Sequence, residues 1–129
     1  RILTGGSGGL FEVGKVKEKK VISSINFETA SDKMKPETYP VLDNIAASVK
    51  NREFAQIIVN GHTDNVGDAD YNIELSLRRA DNTKTYFVEH GISPERVRAF
   101  GFGLMKPLVS NLTEEGRAKN RRVEILIAE

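Results

Sequence analysis

The tightest constraint on this chain is a change of period in its middle third. Gln56–His62, QIIVNGH, is a short β-branched run bounded by turn chemistry, which predicts a buried strand. Soon after it, Ile73, Leu77, Ala80 and Phe87 fall on one face of a helix over about Tyr71–His90, with Asp70 or a neighbour as the cap and Gly91 as the stop. A strand feeding directly into a long amphipathic helix must find a further strand to pack on. Val97–Phe102 supplies one, and RRVEILIA (Arg121–Ala128) another, with Val123, Ile125 and Ile127 on one face. Upstream, Val16–Phe27 alternates as a strand or hairpin arm. Leu42, Ile45 and Val49 mark a helix at roughly Pro40–Asn51, which Thr38 would cap and Pro40 enters in its first turn. A short helical turn is expected near Thr113–Lys119. The order is β-α-β-α-β-(α)-β. It predicts an α+β fold: a small mixed sheet of about four strands, with two main helices and a short third helix on one face.

At 129 residues there is room for one such domain. LTGGSGG at positions 3–9 has linker composition, so residues 1–15 read as a leading segment and 16–129 as the domain. The 19 Lys+Arg nearly balance the 18 Asp+Glu, so no overall field favours nucleic acid or an anionic membrane. The basic run KVKEKK (Lys15–Lys20) has no interleaved aromatics and fits the solvated edge of a strand. Without cysteine there is no disulfide framework, thiolate nucleophile or thiolate metal site. No apolar run approaches the roughly 20 residues that cross a bilayer. The chain opens on Arg1 with no signal-peptide pattern and reads as a piece of something longer, so any anchor is expected outside it.

The join between strand and helix, GHTDNVGDADYN (Gly61–Asn72), concentrates the chemistry. As a catalytic pair, His62 could serve as general base with Asp64 as its orienter, but the chain offers neither a nucleophile nor a metal-site motif beside them. As a calcium loop it fails the EF-hand spacing: counting from Asp64, position 3 is Val66 and position 12 is Leu75. Asp68 and Asp70 fit better as helix-start acids that satisfy orphan N–H groups. As a ligand loop, Asp64 at the strand end would face Asn72, Ser76 and Arg79, a polar stripe at i, i+4, i+7. An acid opposite a guanidinium suits a zwitterion, with an ammonium on Asp64 and a carboxylate on Arg79. An internal Asp64–Arg79 salt bridge accounts for the same residues, and the pattern leaves both open.

Ile57–Arg79 with Ala80 resembles the signature of the OmpA-like peptidoglycan-binding domain, a Gly-His-Thr-Asp loop followed by an Asn-x-x-Leu-Ser-x-x-Arg-Ala helix. GRAKNRRVEI (Gly116–Ile125) resembles the second signature and INF (Ile25–Phe27) the opening strand, so the likeness runs from about Val16 to Ala128. The resemblance implies a periplasmic, non-enzymatic domain without cofactor. Such a domain binds the wall non-covalently through the meso-diaminopimelate of the stem peptide and belongs to a protein held in or at the outer membrane of Gram-negative bacteria. Carried over by position, Asp64 and Arg79 would hold the diaminopimelate and Asn72 would add a hydrogen bond. Arg121 would bring a second cation, and Thr63, Leu75 and Ser76 would line the floor. One departure stands out: where many relatives have a polar residue, this chain has Ala30, so Thr29, Ser31 or backbone groups would have to substitute.

Overall fold

The fold comes from a computed structural model that describes residues 2–4, 10–12, 15–23, 27–28 and 31–129. Among the described residues, six strands and three α-helices follow in the order β1 (Ile2–Thr4), β2 (Leu10–Glu12), β3 (Val16–Ser23), α1 (Tyr39–Lys50), β4 (Gln56–His62), α2 (Ala69–Glu89), β5 (Val97–Gly103), α3 (Glu114–Asn120) and β6 (Arg122–Ala128). β1 and β2 pair only with each other; the other four form one sheet in the order β3-β6-β4-β5. β6 runs antiparallel to both β3 and β4, whereas β4 and β5 are parallel. A parallel pair needs a crossover, and α2 is that crossover. The α+β class is therefore as expected. Residues 5–9 of the expected linker lie outside the described residues, as do Ile25 and Asn26 of the expected opening strand and the Thr29–Ala30 pair.

The sheet divides its residues by alternation. Ile57 and Val59 of β4, Val97 and Ala99 of β5, and Val123, Ile125 and Ile127 of β6 join Leu42, Ile45 and Val49 of α1 and Ala80 and Phe87 of α2 in the main core. Each large apolar side chain withdrawn this completely contributes roughly 1.5–3 kcal/mol. The opposite face carries a smaller apolar cluster of Ile58 and Ala128, with Phe100 and Leu126 against it. α3 adds no residue to the main core; its buried positions are Gly116 and Asn120. Residues Lys15–Lys20 are all exposed, and β3 is an edge strand. Lysines along an edge discourage pairing with another sheet.

One helix end differs in detail from expectation. Thr38 makes no side-chain cap to α1; it is buried at the end of a 3₁₀ turn, Pro36–Thr38, that runs straight into the helix. A residue already in helical conformation cannot present its hydroxyl to the first N–H groups as an N-cap does. At the other end of α1, the Arg96 guanidinium collects the carbonyls of Val49, Arg52 and Ala55 at 2.7–2.9 Å. α2 is capped by Asp68, whose carboxylate accepts from the Asp70 N–H at 2.8 Å, and ends at Gly91 with φ of 99°.

Candidate functional site

The site forms where β4 ends, and a close approach of helix to sheet sets its depth. A Cβ on Gly61 would lie 2.2 Å from the Ser76 carbonyl oxygen, and one on Gly101 would lie 2.6 Å from the Leu77 Cβ. Only glycine lets α2 sit this low on β4 and β5. Ser76 is fully buried in that seam: its hydroxyl donates to Ile73 O and accepts from the Gly103 N–H at 2.9 Å. Leu75 is buried beside it. The stripe Asn72, Ser76 and Arg79 thus faces inward, as the spacing predicts, but Ser76 is committed to the seam.

Beyond His62 the chain leaves the sheet and is tied down bond by bond. The Thr63 N–H donates to Gly103 O and the Thr63 hydroxyl to Asp64 O, both at 2.8 Å. Asp64 Oδ1 accepts from the Val66 N–H at 3.0 Å, closing a turn. The Asn72 amide donates to Val66 O at 2.8 Å from below, so it positions the loop. Asp64 is held 8% exposed with its carboxylate fixed.

Its ionic partner is Arg121, whose Nη1 donates to Asp64 Oδ2 at 2.7 Å; Arg121 Nη2 donates to Glu114 Oε1 at the same distance. Those bonds, Glu114 first and Asp64 with it, raise the Arg121 pKa although partial burial works the other way. The expected internal alternative, an Asp64–Arg79 pair, is therefore not the one that forms. Register explains this: His62 stands opposite Arg122, so the residue before Arg122 arrives beside the residues that follow His62. Sequence spacing alone cannot show a contact between positions 57 apart.

Arg79 meets different company. It is 6% exposed, its Nε donates to Ser31 O at 2.8 Å, and its guanidinium lies over the Phe27 ring at 5.1 Å. Among the described residues no carboxylate comes within salt-bridge distance of it. Burial lowers its pKa and the charge of Arg121 pushes the same way, while Tyr71 and Asp32 oppose them, so Asp32 and Arg121 both lie within electrostatic reach of the guanidinium. Asp64, Glu114 and Arg121 form one bonded cluster, and Arg79 stands outside it, with Asp32 acting on it from beyond salt-bridge distance.

His62 does not join Asp64. The β4–β5 register shifts between Gly61 and His62, and the strand stops there, so the i, i+2 relation no longer puts both side chains on one face. His62 lies on the opposite face, 4% exposed, stacked on Phe102 at 5.3 Å and 3.9 Å from Glu124. Burial, reinforced by Arg122, lowers its pKa to about 4, so it is neutral near pH 7. Three contributors escaped the sequence pattern: Glu114, which holds Arg121; Phe27, which lies under Arg79; and Asn120. The Asn120 side chain accepts from the Leu108 and Val109 N–H groups and donates to Val109 O and Asn111, pinning the loop that precedes α3.

The fold is an α+β domain with an acid fixed at the end of β4 by Arg121 and a nearly buried arginine on α2 that has no bonded carboxylate among the described residues. The comparisons give that domain its family. A model of the OmpA family matches residues 26–121, and the chain belongs to that family. It is 44% identical over 78% of its length to outer membrane protein A of Bordetella avium, spanning 52% of that protein. It is 41% identical over 71% of its length to the peptidoglycan-binding protein ArfA of Mycobacterium tuberculosis, spanning 28% of that protein. The chain thus covers about half or less of these relatives. Among solved structures, a MotB like protein from Desulfovibrio vulgaris superposes with a TM-score of 0.77 at 31% identity, covering 84% of this chain and 73% of that one. The cell wall anchor of the T6SS from Pseudomonas aeruginosa gives 0.74 at 31%, covering 89% and 87%. The family is one of structural binding domains, and the chain is not an enzyme.

Proposed function

We propose that this chain binds cell-wall peptidoglycan non-covalently, through the meso-diaminopimelate of the stem peptide, and tethers a larger envelope protein to the wall. The relatives named for peptidoglycan binding and cell-wall anchoring support the wall as ligand. One observation carries the diaminopimelate assignment. Arg79 is a nearly buried guanidinium with no carboxylate bonded to it among the described residues, Asp32 acting on it only from beyond salt-bridge distance, and Asp64 is an acid fixed in place. A buried charge without a counter-ion is costly, and a ligand carboxylate relieves that cost. The ligand's ammonium then meets Asp64, whose oxygens each accept one bond already and have a second lone pair to offer.

In this reading Asp64 and Arg79 are the anchors, and Arg121 steers the carboxylates of both protein and ligand. Thr63 and Asn72 shape the loop, and Leu75 and Ser76 form the floor behind it. The domain occupies residues 16–129, in the periplasm, and the outer-membrane anchor belongs to the rest of the protein. A small pocket with few anchors gives modest affinity for one stem peptide, and an array of such domains on the polymeric wall gains by multivalency. A sub-nanomolar Kd for one stem peptide would contradict this. The competing view is a domain of the same fold whose charges are satisfied internally; the Asp64–Arg121 bond is the observation in its favour. Titration with a diaminopimelate stem peptide, followed by NMR, separates the two. Shifts concentrated at Thr63–Ser76 and Arg79, abolished by Asp64→Ala in a folded protein, support the tether. No shifts at millimolar peptide would leave the internal network as the whole account.

A further inference from the structure

Arg78 and Arg79 are neighbours on α2, and one acid lies within range of both. Residues 31 and 32, upstream of α1, rest against this helix. Ser31 O accepts from Arg79 Nε at 2.8 Å, and Asp32 O accepts from Asn82 Nδ2 at 2.9 Å. Only the Ser31 carbonyl and one peptide plane separate Arg79 Nε from the Asp32 Cα, a span of no more than about 6 Å. The Asp32 carboxylate nevertheless turns to the other arginine, with Oδ2 3.4 Å from Arg78 Nε. Even from there its charge acts on Arg79, against the burial that lowers the Arg79 pKa. Arg78 is itself steered: its Nη1 donates to Glu74 Oε1 at 2.7 Å, one turn earlier on the helix. The next cation of the segment, Lys33, lies 4.0 Å from Glu28 and is engaged there. The backbone is pinned on both sides of the Asp32 Cα, so a change of side-chain rotamer alone carries the carboxylate from Arg78 toward Arg79.

We propose that Arg78 is a positioning residue for the ligand pocket: by holding Asp32 it keeps the protein's own carboxylate off Arg79 and leaves that guanidinium open to the carboxylate of the ligand. The proposal deepens the diaminopimelate reading above and rests on it. The chemistry is a competition. Turning inward costs the Asp32 carboxylate part of its hydration, and with Arg78 beside it the outward pairing wins. Without Arg78 the outward position loses its cation, and the pull of the buried guanidinium shifts the balance inward. Asp32 then fills the place that the ligand needs and acts as an internal inhibitor. The side chains of Arg78 and Asp32 are 39% and 40% exposed. A pair this exposed moves an equilibrium by at most about fivefold. Arg78 thus tunes the affinity that Asp64 and Arg79 create.

The test measures the Kd of a diaminopimelate stem peptide for the wild type, Arg78→Ala, and Arg78→Ala combined with Asp32→Asn, on the full chain by calorimetry. The Arg79 Nε–H signal is followed by NMR without ligand. Alanine is the best helix former, so the single variant keeps α2 intact. The proposal expects Arg78→Ala to bind about three- to fivefold more weakly, and its Arg79 Nε–H signal to shift before any ligand is added. Adding Asp32→Asn restores both, because the amide keeps the shape of the acid without its charge. Unchanged affinity in Arg78→Ala overturns the proposal and leaves the pocket standing. So does a loss that Asp32→Asn does not restore, since Arg78 then serves the ligand or the fold directly. If the wild type does not bind the peptide, the diaminopimelate reading itself falls.

Discussion

Two arginines, Arg79 and Arg122, are almost equally buried, at 6% and 5% exposed, yet they live opposite lives. Arg122 is saturated: Nε donates to Glu124 at 2.7 Å, and the two terminal nitrogens donate to Asn120 O and Lys106 O at 3.2 Å. Burial alone would raise the Glu124 pKa, but the bond and charge of Arg122 outweigh it, so the net shift is downward. Arg79 has a carbonyl and a ring face, and among the described residues no acid within salt-bridge distance. Equal burial therefore does not mean equal role. A bonded buried cation belongs to the scaffold, while one without a bonded carboxylate has the open donors that the proposed ligand needs.

The comparison is most easily broken by Arg122→Ala, which leaves Glu124 only the half-exposed Lys19 ammonium at 3.6 Å and should cost about 3 kcal/mol of folding free energy. Urea denaturation measures it, and a loss under about 1 kcal/mol would erase the distinction between the two arginines. Arg79→Ala should do the reverse, lowering stem-peptide affinity roughly 100-fold while folding stability stays within about 1 kcal/mol of wild type. Arg79→Lys should recover only part of that binding, because an ammonium lacks the guanidinium fork.

A smaller effect comes from His62, on the scaffold side. Its pKa is about 4 when folded against an ordinary value of 6.5, so between those values the unfolded chain binds more protons. Stability is full above pH 6.5 and falls as pH drops toward 4, by on the order of 2–3 kcal/mol. In His62→Gln the unfolding free energy should lose that part of its slope, while Arg79-dependent binding is untouched. The smallest change is expected from Glu114→Gln. This exposed acid steadies Arg121, so stem-peptide affinity should move by about twofold, read by calorimetry, with no measurable shift in unfolding midpoint.

Legibility in the sequence followed the range of the physics. Gln56–His62 was readable to the residue because β-branching and flanking turns are local signals. The bounds of α2 were readable to within two residues because its caps are local too. The inward stripe of Asn72, Ser76 and Arg79 follows from helical periodicity. What periodicity cannot carry is partner choice: Asp64 chose Arg121 through strand register, and Ser76 was drawn into the seam because Gly61 and Gly101 let the helix descend. Thr38 was misjudged as a cap because a 3₁₀ turn, which depends on how residues 36–38 pack, precedes the helix.

The pairing of the two ends of the sheet carries one more consequence. Lys15 and Glu129 exchange two backbone bonds, at 2.8 and 3.0 Å, at one end of the β3–β6 ladder, and Ser23 pairs with Arg122 at the other, beside Arg121 and Asp64. A pull between the chain entering at Lys15 and a ligand gripped at Asp64 runs along the strand axis. β3 and β6 are then loaded in shear, with every rung of the ladder resisting at once, whereas a peeling load would open them one by one. Under the proposed tether, the strand that takes the load first is joined to the rest of the domain in its mechanically strongest direction.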